Sequence, residues 1–267
     1  MSEIASEDER PSWPERFLLG WLGDVGEVFL LLGDAIRGIP SALSRPGLII
    51  AQMAHIGVGS MYLTVVVALF TGAVAAVQAS YQMRDYVPMI YLGTLVGKSV
   101  VIELGPVLTA LVVGGRVGAS IAAELGTMCV TEQVDAMETM GISPVRFLVV
   151  PRLLAALVML PALTIFADVV AIAGGYLVST LTLDVSSHTF VSGLKLYFKT
   201  QDVISGLIKA FFFGGIIATM GCYFGLKSEG GAEGVGVSTT HAVVTSCLLI
   251  LIVDYLLASF LFRVIFA

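Results

Sequence analysis

A 267-residue chain is long enough for one or two soluble domains, yet 57% hydrophobic residues, 13% charged residues and a mean hydropathy of +0.95 describe a polypeptide dissolved largely in lipid. A net charge of −6 leaves no basic footprint for nucleic acid. Cys129, Cys222 and Cys247 lie far apart, without histidines at metal-ligand spacing, and read as buried thiols.

Residues 1–14 are acidic, contain two prolines and read as a disordered tail. No basic region precedes a short apolar core, so no signal peptide is expected. From Phe17 to Ile39, Trp21, Val25, Val28, Phe29, Leu32 and Ile36 recur at helical spacing between Asp24, Glu27, Asp34 and Arg37. That pattern predicts an amphipathic helix lying at the membrane interface, within a region spanning 15–50. Pro40, Pro46 and Gly47 then punctuate the chain.

Ile56–Met83 carries no charge and predicts the first span. The second runs from about Met89 to Ala123 with Lys98, Glu103 and Arg116 inside it. The third runs from Phe147 to about Leu183, with Arg152 near one end and Asp168 near the middle. A wetter stretch, Asp184–Asp202, predicts a surface helix with Phe190, Leu194, Tyr197 and Phe198 on one side. The fourth span is Val203–Leu226, and Lys227–Val237 is a glycine-rich loop, flexible or tightly turned. The fifth, Ala242–Phe266, contains Asp254. Five spans put the termini on opposite sides, but eight Lys/Arg against six do not decide which is inside.

Gly93–Ser99, GTLVGKS, resembles a phosphate-binding loop but has three residues between its glycines where the motif needs four. No nucleotide site is expected on this chain, and any ATP belongs to a partner. His55, His188 and His241 are scattered and form no catalytic pattern, so the chain does not read as an enzyme.

Ionisable residues inside spans are more telling, since each costs on the order of 3 kcal/mol at a helix centre. Arg116, Asp168 and Asp254 read as structural charges paired between helices. Glu103, just before Gly105-Pro106, reads equally as a pathway carboxylate facing a cavity or as a structural partner of Lys98 or Arg116. Pro106 lacks the N–H that would bond to the Ile102 carbonyl, so the helix is expected to be loosened there. The small residues Gly114, Gly115, Gly118, Ala119, Ala122 and Ala123 allow close helix approach, within one subunit or between two copies.

Between the second and third spans the chain turns polar. Thr131 suits an N-cap, Glu132 and Asp135 the first turn, Gly141 the C′ position, and Pro144 stops continuation. Val130, Val134 and Met137 fall on one face, and Glu132, Asp135 and Glu138 on others. This predicts a short rigid helix with an acidic rim, either docking a soluble partner or merely connecting two spans.

ELGPVLTALVVGGRVGASIAAELGTM followed by TEQVDAMETMGISPVRFLVVPR resembles the signature region of the MlaE permease family, membrane subunits of ABC transporters that move phospholipids across the bacterial envelope. The resemblance continues through Leu160–Gly175, Gly230–Ser246 and Asp254. It implies an all-α integral membrane protein of the bacterial inner membrane, with an interfacial helix and five transmembrane helices in a permease domain over 51–267. The N-terminus would be cytoplasmic and the C-terminus periplasmic. A cytosolic coupling helix would carry Thr131, Glu132, Gln133, Asp135, Met137 and Glu138, and a periplasmic helix would join spans three and four. The implied partners are a second copy, an ABC ATPase holding ATP and magnesium, an MCE-domain protein and a small STAS-type subunit. Phospholipid would enter a pocket at the dimer interface, lined by the first two spans and the fifth, with Glu103, Ile102, Val66 and Phe70 on its pathway. Many proteobacterial members have a basic residue where this chain has Ile102. A self-contained ion-coupled carrier using Glu103, Asp168 and Asp254 is the competing reading, and a membrane scaffold without transport is a third.

Overall fold

The computed structural model describes residues 13–83 and 86–265. Residues 1–12, most of the expected tail, lie outside the described residues, as does the side chain of Trp21. The described chain is helical throughout: α1 (Trp13–Leu43), α2 (Pro46–Met83), α3 (Tyr91–Val130), α4 (Gln133–Thr139), α5 (Val145–Leu181), α6 (Ser187–Tyr197), α7 (Thr200–Leu226) and α8 (Gly231–Ile265). Five of these, α2, α3, α5, α7 and α8, are long and apolar enough to cross a membrane. They alternate in direction, which puts α1 and α4 at one end of the bundle and α6 at the other.

Small residues decide how the spans pack. Ser60, Thr64, Ala68, Gly72 and Ala76 recur every fourth residue and are all buried, forming one face of α2. That face lies on α5 so closely that a Cβ on Gly72 would sit 1.7 Å from the Ala171 carbonyl oxygen, and one on Gly174 would sit 2.3 Å from that of Leu69. The other small-residue series, on α3, makes its contact inside the subunit. Gly114, Gly118 and Ala122 are buried, and α7 answers with Gly221 and Gly225, where a Cβ would meet Ile121 at 3.1 Å and Leu125 at 2.8 Å.

α3 is one long helix with two π-helical turns, Val100–Leu104 and Gly114–Gly118. The first ends just before Gly105-Pro106: the missing Pro106 N–H interrupts the ordinary ladder, and the Gly105 N–H reaches back to the Val100 carbonyl. Gly93 and Gly97, the glycines of the apparent phosphate loop, are packing contacts. A Cβ on Gly93 would lie 2.2 Å from the Phe190 carbonyl oxygen and one on Gly97 2.3 Å from Leu194, both on α6. The Thr94 hydroxyl donates to the Gly193 carbonyl across the same seam.

Three local expectations need correction. Pro40 lies inside α1, and the break comes at residues 44–45. Ala35, Gly38 and Ala42 seat α1 on the start of α5, which leaves Phe29 and Ile36 of the apolar stripe facing outward, the side on which an interfacial helix meets lipid. The glycine-rich loop is a tight turn over 227–230, with φ of +82° at Gly230 and +74° at Gly231; α8 starts at Gly231 and runs through Gly234 and Gly236. Thr131 does not cap α4. Its hydroxyl donates to the Thr127 carbonyl, Glu132 occupies the cap position with φ of +59°, and no side chain bonds the first turn. The other end follows the sequence: Gly141 has φ of +74°, the Gly141 N–H donates to Glu138 and that of Ile142 to Met137.

The α2–α5 seam gives the first prediction. Gly72→Ala should lower thermal stability by about 1–3 kcal/mol, because a carbonyl cannot yield as a side chain does. Gly115→Ala, where nothing lies within 4 Å, should stay within about 0.5 kcal/mol in the same melting assay.

Candidate functional site

Lys209 lies in the middle of α7 with 1% of its side chain exposed. Its ammonium is 2.6 Å from Glu103 Oε2 on α3 and 2.9 Å from Asp254 Oδ1 on α8. A lysine at this depth is tolerable only with carboxylates in reach. The π-turn ending at Leu104 helps set the direction in which Glu103 points. The three spans are thereby joined through one ammonium. Glu103 is 40% exposed and Asp254 20%, so the acidic side of the cluster stays open.

The partner of Glu103 is therefore neither Lys98 nor Arg116. Lys98 reaches Asp202, at 3.6 Å, and the Arg116 guanidinium donates to Ser60 Oγ at 2.9 Å and to the His55 carbonyl at 3.4 Å. Asp254 does pair between helices, as a structural charge should. Asp168 does not: it is buried against Gly105, and its Oδ1 has no hydrogen-bond partner. Arg152, 4% exposed, pairs with Glu124 at 2.9 Å and donates to the Leu148 carbonyl. Lys209 escaped sequence reasoning although it lies inside the assigned fourth span, in GLIKAFFF. The same depth argument applied to Glu103 and Asp254 would have singled it out.

Beside the cluster, α2 and α3 enclose an open groove of about 710 Å³, in the range of small-ligand pockets. Val66, Phe70, Val74, Leu95, Leu104 and Leu108 make it apolar, with Gln78, Gln82 and Ser99 supplying polar atoms. Val66 and Phe70 were singled out in the sequence, and both line it. Ile102 and Glu103 are not among the lining residues, although Leu104, next in sequence to Glu103, is. The groove and the ion cluster thus meet at the first π-turn without sharing a side chain.

The connector α4 has no fully buried residue. Val134 and Met137 are half-buried on the protein's own core, so the apolar stripe is already occupied. Outward lie Glu132, Gln133, Asp135, Glu138 and Met140.

A family model, Permease MlaE, matches residues 49–260. The chain belongs to the MlaE permease family. Probable ABC transporter permease proteins of Rickettsia bellii and Synechocystis sp. are 46% and 38% identical, over 86% and 91% of this chain and 90% and 92% of theirs. Protein TRIGALACTOSYLDIACYLGLYCEROL 1, chloroplastic, of Arabidopsis thaliana is 37% identical over 60% of this chain and 46% of its own length. The matched region contains the groove, the ion cluster and α4. With its five apolar helices, this MlaE-family chain is a multi-pass membrane permease subunit.

Outside the spans, one clasp ties α1 to the bundle. The Lys227 ammonium lies 2.8 Å from Asp24 and 2.9 Å from Glu27, and the single Tyr223 hydroxyl proton is shared between the same carboxylates, at 2.9 Å and 3.0 Å. Hydrogen bonds from Lys227, then from Tyr223, hold both carboxyls below their ordinary pKa, and the Asp24 bond in turn holds the Lys227 ammonium above its own. Depressed carboxyls stabilise the fold above their unfolded pKa and lose that contribution as pH falls through the folded value.

Two outcomes follow for this permease. The clasp, read as the distance between spin labels on α1 and at the start of the 227–230 turn, should hold at neutral pH and weaken below about pH 4. High salt should weaken it as well. At the buried cluster, Lys209→Met strands two carboxylates and should cost about 3 kcal/mol or more in thermal stability. Adding Glu103→Gln and Asp254→Asn should recover part of that loss, and Lys195→Met, at an exposed position of α6, should change little.

Proposed function

We propose that this permease is the membrane subunit of an ATP-driven transporter of phospholipid, working as a pair of identical chains in the bacterial inner membrane. The observation that carries the reading is the apolar groove of Val66, Phe70 and Leu108, which opens beside an ion cluster at membrane depth. An amphiphile needs both environments, an apolar wall for its chains and a charged region for its head. The name of the Arabidopsis relative, which is that of a glycerolipid, supports a lipid cargo.

ATP and magnesium belong to a partner ATPase, and α4 is the segment proposed to receive it. With Val134 and Met137 already packed at home, recognition falls to the acidic edge of Glu132, Asp135 and Glu138. In this arrangement the N-terminus, α1 and α4 are cytoplasmic. The α6 end is periplasmic, beneath an MCE-domain protein, and a STAS-type subunit is a further cytosolic partner. The self-contained carrier loses support because Lys209 already neutralises part of the Glu103 and Asp254 charge, leaving Asp168 alone for a coupled ion.

Reconstitution with the ATPase in liposomes carrying a fluorescent phospholipid tests this directly. Wild type should show ATP-dependent transfer. Val66→Trp, which fills the groove, should lower it about tenfold while the complex still assembles and hydrolyses ATP. Transfer at the wild-type rate by an assembled Val66→Trp complex would refute the groove as the lipid path.

A further inference from the structure

Arg116 stands out by its missing counter-ion. Of the cations set away from the ends of a span, Lys98, Arg152 and Lys209 each lie within 3.6 Å of a carboxylate, while Arg146 and Arg263 stand at span ends. Arg116 has none among the described residues, although it occupies the second π-turn of α3, well inside the helix. A guanidinium cannot shed its charge as a lysine can, so an unpaired one at this depth calls for an anion.

Its surroundings are built for holding the group rather than neutralising it. Nη1 donates to Ser60 Oγ at 2.9 Å and to the His55 carbonyl at 3.4 Å, both neutral acceptors on α2. Gly59 makes the approach possible: a Cβ there would lie 2.6 Å from Nη2. Next to it, His55 Nε2 and Ser120 Oγ share a hydrogen bond of 3.1 Å. His55 and Gly59 are exposed, and Arg116 and Ser120 half-exposed, so the cluster opens on the outer surface of the bundle. At a rise of 1.5 Å per residue, Arg116 is about 21 Å along α3 from its end at Val130. A 40-residue helix is about 60 Å long against a hydrocarbon core of about 30 Å, which brings Arg116 towards the edge of the core on the α4 side.

We infer that Arg116, with His55, Ser60 and Ser120, binds the phosphate of a membrane lipid on the α4 side of the bilayer. The fork of the guanidinium fits a phosphate's oxygens, with Nη1 fixed on Ser60 and the Nη2 side turned outward over Gly59. The hydroxyl and imidazole groups beside it add neutral donors. This inference rests on the lipid-transport reading for its cargo, but its geometry is separate from the Val66–Phe70 groove and names a headgroup site that the groove lacks.

Native mass spectrometry of the delipidated, assembled protein tests it. The added probes are phosphatidylglycerol, diacylglycerol with the same chains, and inorganic phosphate. Wild type should retain phosphatidylglycerol, and Arg116→Gln should retain about tenfold less, the effect of losing a charged hydrogen-bond donor. Arg116→Lys should fall between them, and diacylglycerol should bind both proteins alike. Where Arg116→Gln does not assemble, Gly59→Ala keeps the charge but displaces the guanidinium, and should lower retention in the same direction. Equal retention of phosphatidylglycerol by wild type and variant overturns the inference. So does an Arg116→Gln protein that splits into single chains with unchanged retention, since the counter-ion is then a carboxylate of the second copy. Arg116-dependent binding of inorganic phosphate without that of phosphatidylglycerol assigns the site to a soluble anion and overturns the headgroup assignment. Transfer is read separately: Arg116-dependent retention without any transfer contradicts the transport reading alone, and transfer without it overturns this site alone.

Discussion

A lysine ammonium almost wholly removed from solvent is the constraint on which the bundle depends. Lys209 needs negative charge, and it draws that charge from two other spans, Glu103 on α3 and Asp254 on α8. For α8 the tie matters most, because only 11% of its apolar stretch is buried in the subunit. Breaking a buried pair by removing one partner costs about 3–5 kcal/mol, more than most single packing contacts. The cluster thus sets the relative positions of α3, α7 and α8, and the rest of the second span follows from how Glu103 is brought to it. The π-turn at Val100–Leu104 lies just before Pro106, with Glu103 on the α7 side and Leu104 on the groove side.

The second organising force is close backbone approach through small side chains. In lipid there is no hydrophobic driving force between helices, so dense contact must supply the attraction. The every-fourth-residue face of α2 gives that contact to α5 and leaves Val66, Phe70 and Val74 pointing elsewhere. The groove is therefore a consequence of the packing. One face of α2 is committed to α5, and the large residues on another face, Phe70 and Val74, stay more than half exposed across from α3.

Much of this could be read from the chain. The five spans, the Gly141 cap and the loosened helix at Pro106 follow from apolar length, left-handed glycine and a missing N–H, whereas Val66 and Phe70 are marked only by the family resemblance. The pairing of Glu103 could not be read, because its partner lies 106 residues away and sequence spacing carries no information over that distance. Thr131 misled for a local reason. A threonine near a helix end can donate back to the carbonyl four residues earlier instead of capping forward, and here it does. Pro40 and the glycines of 231–237 misled because propensity is a weak prior inside helices held by tertiary contact or lipid. The α2 face had no visible signal in hydropathy, since a span surrounded by lipid and protein is apolar on all sides.

Photo-crosslinking with a phospholipid carrying a diazirine in its acyl chain tests the central claim most directly. The labelled peptides would be mapped in the assembled protein. A lipid path along the groove predicts adducts concentrated on Val66, Phe70, Val74, Leu104 and Leu108, reduced by Val66→Trp. Adducts spread evenly over every outward apolar face, with Val169 and Leu177 of α5 and Phe211 of α7 labelled as heavily as Phe70, would contradict it.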